Sequence, residues 1–425
     1  MKPPSKGWGY ENTLVLVNWF IWTFAVMDRL LIAYLFPILV PEFNLSFAQV
    51  GLLIAVTSLM WGVFIIIGGT LGDKYGRKPL ILFATLFFSL FSWASGLARN
   101  VWQMFAIRAV NGAAEGLYPS NAIATIAEES TPSRRGLNLG IWMTGYPAGG
   151  LFLAAIYGTF VASTLGWQWA FYLTVIWGVI MAALFWRFIR EPASTLARKE
   201  ARREGKADLV RAADGTTVGY GDVLRNRNVV VLMATAFIYF IWVYTIVSFG
   251  TLYLTQIGKM DLTTAGAVFS FFGIGSIIGS ILLPWLSDSI GRRPAQMIGF
   301  LGAAVFTLAF AYLGGTSVAL SALLLFLSGF FGFACASLVT STGPAEAVPF
   351  TMAGLAVGLV VFSGELSSSV AIWLVGGLAD IYGLPVTMLI AGVIPFAAIA
   401  TTAMLKETAP RFLAAPTIAV PEAGI

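Results

Sequence analysis

Twelve stretches of this chain are long and apolar enough to cross a lipid bilayer, and that feature constrains its fold more than any other. A spanning helix needs about 20 consecutive, mostly apolar residues. Such stretches occupy residues 14–40, 50–72, 79–98, 101–127, 136–165, 166–186, 228–258, 262–287, 294–314, 318–345, 350–379 and 381–405, with Gly166 and Gly314–Gly315 read as breaks. Composition agrees: 58% of the 425 residues are hydrophobic and 11% charged, against roughly 25% charged in soluble domains. The expectation is an all-α polytopic membrane protein with twelve transmembrane helices in two pseudo-symmetric six-helix bundles. The chain has no His and one Cys, which excludes His-based acid–base work, Cys/His metal sites and a disulfide framework. Neither a metal nor a cofactor is expected, and no Ser or Cys nucleophile beside a base suggests an enzyme.

The placement of Lys and Arg sets the expected orientation. Of the 25 basic residues, 21 fall in the N-terminal segment, the even-numbered loops, the central polar segment and the tail; Arg99 and Lys259 fall outside these, and Arg29 and Arg108 fall within spans. Both termini are therefore expected to be cytoplasmic, in a bacterial inner membrane. The net charge of +5 and pI near 9.3 report topology and not a nucleic-acid partner. The first span is too long for a signal-peptide core, so it is expected to stay attached. The domain expectation is one bundle over 1–189, a cytoplasmic linker over 190–227, a second bundle over 228–405 and a cytoplasmic tail over 406–425. Within the linker, residues 198–206 read either as a short helix on the lipid surface or as solvated chain.

The halves repeat. Gly69-Thr-Leu-Gly-Asp73-Lys-Tyr-Gly76-Arg77-Lys78-Pro79 joins the second and third spans, and Asp288-Ser-Ile-Gly291-Arg292-Arg293-Pro294 joins the eighth and ninth. The Asp, Gly, Arg and Pro positions share an offset of 215 residues. This doubled loop resembles the signature loop of the major facilitator superfamily, and with twelve spans, a 6 + 6 repeat and a basic central segment the resemblance covers the whole chain. It implies a transporter working by alternating access, with Gly69, Asp73, Gly76, Arg77, Asp288, Gly291 and Arg292 forming part of a conformational latch between the halves.

Five ionisable residues lie inside spans, where each is expensive and a functional candidate by default: Asp28, Arg29, Arg108, Glu115 and Glu365. Asp28 and Arg29 point about 100° apart on a helix and are not expected to pair with each other. Arg108 and Glu115 share a face two turns apart, near enough to meet or to face one cavity. The first four sum to zero charge, the arithmetic of proton–anion symport. Arg presents a planar fork that matches a carboxylate. The competing reading makes them ion pairs that only fix packing.

Asp28-Arg29 together with Arg108-x6-Glu115-Gly-x-Tyr-Pro119 is also similar to the anion:cation symporter branch of that superfamily. The resemblance implies that Arg29 and Arg108 contact a substrate carboxylate and that Asp28 and Glu115 carry protons. Two positions depart from it. Tyr146 stands where sugar-acid importers of that branch place a Gln, and Gly364-Glu365 stands where they carry an Asn. Glu365 is open between a third proton site, a negative element restricting the substrate, and a packing partner for a nearby Tyr or Ser.

Amides are few in the second-half spans, while Trp22, Tyr34, Trp61, Trp142, Tyr146, Tyr239, Trp242 and Tyr244 supply aromatic surface. A sugar acid calls for several Asn or Gln partners; an aromatic or small apolar acid accepts Tyr, Trp and Ser/Thr. The candidate lining is therefore Arg29, Arg108, Tyr146, Tyr34, Trp61, Tyr239, Trp242 and Ser363. The expected partners are a small organic anion, protons and membrane lipid, with the protein monomeric. A sugar-acid symporter and a proton-driven drug exporter are the alternatives. Gly145-Tyr146-Pro147-Ala148-Gly149-Gly150 is close to an exporter signature but carries an inserted Tyr.

Overall fold

The computed structural model describes residues 9–131, 134–193, 195–196, 220–348 and 353–409, without the side chains of Asp73, Tyr220 and Asp222. Among the described residues the secondary structure is helical, the form in which a spanning segment satisfies its own backbone groups. In the first half α1 is Tyr10–Phe43, α2 Phe47–Tyr75 and α3 Arg77–Ser95. The next, α4, consists of Val101–Gly116 and Pro119–Glu129, and is followed by α5, Arg135–Leu165, and α6, Trp167–Phe188. In the second half α7 is Arg227–Gln256, α8 Leu262–Ile290, α9 Arg292–Leu313, α10 Val318–Ala347, α11 Ala353–Tyr382 and α12 Pro385–Ala403. The possible surface helix over 198–206 and the tail beyond 409 lie outside the described residues.

Eleven of these helices are long and apolar enough to cross a membrane. The exception, α4, follows an apolar stretch expected to run unbroken over 101–127, but it is interrupted at Leu117–Tyr118. Pro119 has no N–H to give the carbonyl of Glu115, and its ring crowds that carbonyl. Tyr118 N–H takes the acceptor instead, at 3.1 Å, so the chain tightens into a turn directly after Glu115. A comparable loosening follows Tyr146, where Pro147–Leu153 winds as a π-helix, a form that recurs at functional sites.

The boundary between the last two helices differs from the sequence reading, which ended one at Ala379 and began the next at Ile381. In the structure α11 continues to Tyr382 and turns at Gly383, whose φ of +86° suits a residue without Cβ. Asp380 is thus in the last turn of a helix and not in a loop.

The helices at the centre, α1 and α7, are the most buried, and the two halves meet across them. At the end opposite the basic loops the halves are in close contact. The glycines Gly51 of α2 and Gly376 of α11 each face backbone of the other helix, and Gly266 and Gly273 of α8 do the same against α5. Thr263 donates to Ser163 Oγ at 3.0 Å across that end. Asp380 accepts the N–H of Phe47 at 2.7 Å and of Ala48 at 2.9 Å, so the last turn of α11 caps the first turn of α2. At the basic end, by contrast, a Cβ at Gly136 or Gly140 of α5, or at Gly354 or Gly358 of α11, would meet nothing within 4 Å. The segments at that end, Pro119–Glu129 and Arg135–Met143 in the first half and Gly343–Ala347 in the second, pack on helices of their own half, so the space between the halves is closed at one end and open at the other.

Candidate functional site: a buried charge cluster between the halves

All five intramembrane charges are buried, and they form two linked groups. In the first, Asp28 of α1 accepts from Ser92 Oγ of α3 and, at 3.3 Å, from Asn111 Nδ2 of α4. The same Asn111 nitrogen donates to Glu115 Oε1 at 2.7 Å, and the two carboxyls are within hydrogen-bonding reach of each other. Arg108 Nη1 stands 4.0 Å from Asp28 Oδ1, and Arg108 Nη2 donates to the Arg29 carbonyl at 2.8 Å. Arg108 therefore turns toward α1 and not along its own helix to Glu115; Asn111, one turn before Glu115, fills that interval.

In the second group Arg29 Nη2 donates to Glu365 Oε2 at 2.6 Å and to Ser58 Oγ at 3.1 Å. The guanidinium lies 4.5 Å from the centre of the Trp61 ring and 5.7 Å from that of Tyr244, a cation–π arrangement. Tyr244 donates to the Glu365 carboxyl at 3.3–3.4 Å. As neighbours on one helix, Asp28 and Arg29 do diverge: one faces α3 and α4, the other α2 and the opposite half. Of the readings open for Glu365, the structure shows it beside a Tyr and paired with Arg29. Arg29 Nε and Nη1 and Arg108 Nε and Nη1 are buried without hydrogen-bond partners among the described residues.

The aromatic candidates divide. Tyr146 is half-buried and stands between Trp22, at 6.2 Å, and Phe333 of the second half, at 5.9 Å. Trp22 stacks on Trp142 at 4.8 Å. Tyr239 packs on Phe333 at 6.2 Å and leaves its buried hydroxyl without a partner. Together these rings form an aromatic layer in which Trp22 lies two turns of α1 from Arg29, about 10 Å toward the open end, while Tyr146 reaches from the layer toward Tyr244 and the Arg29–Glu365 pair. Three other candidates are spent on packing: Tyr34 donates to the Gly150 carbonyl at 2.6 Å, Trp242 to Thr307 at 3.1 Å, and Ser363 to the Met233 carbonyl at 3.0 Å. The structure does not bring those three to the charge cluster.

The comparisons with known proteins bear on the whole fold. The family model of the Major Facilitator Superfamily matches residues 19–372. The chain belongs to that superfamily. It is 26% identical to a hexuronate transporter of Bacillus subtilis over 322 residues, 71% of this chain and 74% of that one. It is 28% identical to a cis,cis-muconate transport protein of Acinetobacter baylyi over 359 residues, 83% and 84% of the two chains. It is also 28% identical to a multi-drug resistance efflux pump of Streptococcus pneumoniae over 263 residues, 60% and 62%. Among solved structures, a bacterial homologue of the human lysosomal transporter Spinster, inward-facing, aligns with a TM-score of 0.75 at 17% identity over 94% of this chain and 97% of that one.

In this member of the superfamily the doubled loops are built alike. Gly76 (φ +106°) and Gly291 (φ +99°) end α2 and α8, and α3 and α9 begin at the next residue. Arg77 pairs with Glu128 at the end of α4, and Arg292 with Glu346 at the end of α10, at 2.9 Å. Arg292 also pairs with Asp288 at 2.6 Å. The N–H groups of Arg77 and Lys78 donate to Glu191 at 2.7 and 3.1 Å, and those of Arg292 and Arg293 to Glu407 at 2.8 and 3.2 Å. Each contact ties helices of one half together. Gly69 faces Ser120 of α4, and the Asp73 side chain lies outside the described residues. Sequence reasoning missed Glu128, Glu191, Glu346 and Glu407, although each pair recurs at nearly the offset of the loops they hold. It also missed Ser58, Ser92 and Asn111.

Proposed function

We propose that this protein is a proton-coupled symporter that imports an organic carboxylate by alternating access. The observation that carries this reading is the unfilled hydrogen-bonding capacity of two buried guanidiniums, Arg29 and Arg108. Buried donors without acceptors cost free energy, and a carboxylate presents the matching pair of oxygens. The named cargoes of two relatives, hexuronate and cis,cis-muconate, are carboxylates, which supports an anion over a cationic drug.

The proton carriers in this reading are Asp28 and Glu115. Two carboxyls sharing one Asn donor in a low-dielectric interior do not both stay charged, so the pair holds a proton that travels with the anion. A monocarboxylate entering with one proton leaves the charge of the site unchanged. The aromatic layer of Trp22, Trp142, Tyr146 and Tyr239 suits a flat, weakly hydroxylated acid; the likeness to a hexuronate transporter keeps a sugar acid as the second reading. With the basic loops cytoplasmic and the membrane a bacterial inner membrane, the open end faces inward, and a monomer contains the whole site.

The test is thermal stabilisation of the purified protein by gallate, cis,cis-muconate, D-glucuronate and cationic drugs, at about pH 5.5 and about pH 7.5. Stabilisation by one carboxylate class, changing with pH and lost in Arg29→Ala, is the expected result. Asp28→Asn should still bind the acid and exchange it across a membrane, but should not accumulate it on a proton gradient. Carboxylate binding unchanged in Arg29→Ala, or stabilisation by cations alone, would refute the assignment.

A further inference from the structure

Glu365 has no part in the coupling just described, yet it holds the central atom of the anion site. A guanidinium grips a carboxylate with two nitrogens at once, end-on through Nη1 and Nη2 or side-on through Nε and Nη2. Nη2 belongs to both grips. In Arg29 both hydrogens of Nη2 are engaged, one by Glu365 Oε2 at 2.6 Å and one by Ser58 Oγ at 3.1 Å, while Nε and Nη1 have no partner. A substrate carboxylate therefore cannot dock on Arg29 in either two-point mode while Glu365 stays.

We propose that Glu365 is a tethered competitor for the anion site: its own carboxylate occupies Arg29 between transport events, and an incoming carboxylate takes Arg29 as Glu365 accepts a proton and withdraws. This rests on Arg29 being the anion-binding residue. The exchange balances at Arg29, since one negative charge arrives on the substrate and one is neutralised by the proton on Glu365; this proton is additional to the one held by Asp28 and Glu115, so two protons enter with each carboxylate, and the released carboxylic acid keeps Tyr244 as a neighbour. The groups facing Glu365 are Arg29 from α1, Ser58 from α2, Tyr244 from α7 and Tyr146 from α5; among the described residues no charged group from α10 or α12 joins them. The pair joins the halves, because Arg29 is on α1 and Glu365 on α11. The competitor consequently also holds the two halves together at the level of the site until cargo arrives. An intramolecular carboxylate excludes weakly binding anions that cannot displace it, which makes Glu365 a specificity-determining residue.

Binding of gallate, cis,cis-muconate and D-glucuronate to the wild type and to Glu365→Gln, measured over a pH series from about 5.5 to about 8, tests this. Removing the competitor raises the competent fraction, so Glu365→Gln should bind the preferred acid about tenfold or more tightly at the alkaline end. Its log Kd should also depend on pH with a slope smaller by one proton than that of the wild type. Unchanged affinity and slope in Glu365→Gln would overturn the proposal and leave the Arg29 site standing. Binding that survives Arg29→Ala, or no carboxylate binding at all, would overturn both. Should Glu365→Gln not fold, Glu365→Ala purified in acetate provides the second measurement. Acetate, but not neutral acetamide, should restore its thermal stability by filling the carboxylate position on Arg29, and absence of that difference would overturn the proposal.

Discussion

Asn111 carries more of the site than its neutral side chain suggests. One nitrogen serves both Asp28 and Glu115, so it fixes the distance between the two carboxyls that the proposed mechanism protonates. Asn111→Ala should lower the thermal midpoint in detergent, the lost hydrogen bonds to buried acceptors costing about 1–3 kcal/mol of stability. It should also displace the pH at which transport is half-maximal; a variant with unchanged midpoint and unchanged pH profile would show that Asn111 is incidental. At this scale the charged members of the site were conspicuous in the sequence, because a charge inside an apolar span needs a reason. Asn111, Ser92 and Ser58 were not, because small polar residues are common in transmembrane helices and the α1 partner of each lies 29 to 83 positions away.

Helix ends supply the next level of control. Glu191 and Glu407 cap α3 and α9 with paired backbone hydrogen bonds, and both are placed by chain segments that follow the last helix of their own half. Burial works to raise the titration of Glu407, but the N–H groups of Ala409, Arg292, Arg293 and Thr408 outweigh it and hold the carboxyl below its ordinary range. A group depressed in the folded state contributes fully above its unfolded value, about 4.3, and loses that contribution as pH falls through the folded value. Glu407→Gln should therefore reduce stability at neutral pH by about 0.5–2 kcal/mol, the size of a lost helix cap. The difference from wild type should shrink in acid, and a constant difference down to about pH 3 would contradict the capping account. Asp380 does for the closed end what these caps do for each half, with the difference that its partner helix belongs to the other half. Asp380→Asn should weaken closure and move spin-label distances between the outer ends of α2 and α11 toward longer values; an unchanged distance distribution would show that packing alone keeps that end shut.

At the scale of the molecule, the two halves meet through glycines at the closed end and separate toward the basic end. A side chain at Gly376 would intrude on the backbone of Phe47, so Gly376→Leu should prevent closure of that end. Transport should then be lost while the protein still folds, with the outer ends of α2 and α11 held apart in distance measurements. Transport at the wild-type rate would mean that the halves do not rock about this contact. In the proposed alternating-access mechanism the contact belongs to one state of the cycle, whereas a sequence describes all states at once.

Hydropathy alone determined that this chain crosses a membrane about twelve times, and the doubled Asp-x-x-Gly-Arg loop determined that it does so in two related halves; both are local patterns that need no knowledge of neighbours. Spacing on a helix likewise determined that Asp28 and Arg29 face different ways. The tertiary structure decided the partners. Arg29 meets Glu365, 336 positions along the chain, Arg108 turns to α1, and Tyr34, Trp242 and Ser363 spend their polar atoms on neighbouring helices. Periodicity sets the face of a helix on which a side chain sits, but which helix covers that face follows from how twelve of them pack and from which end of the molecule is shut.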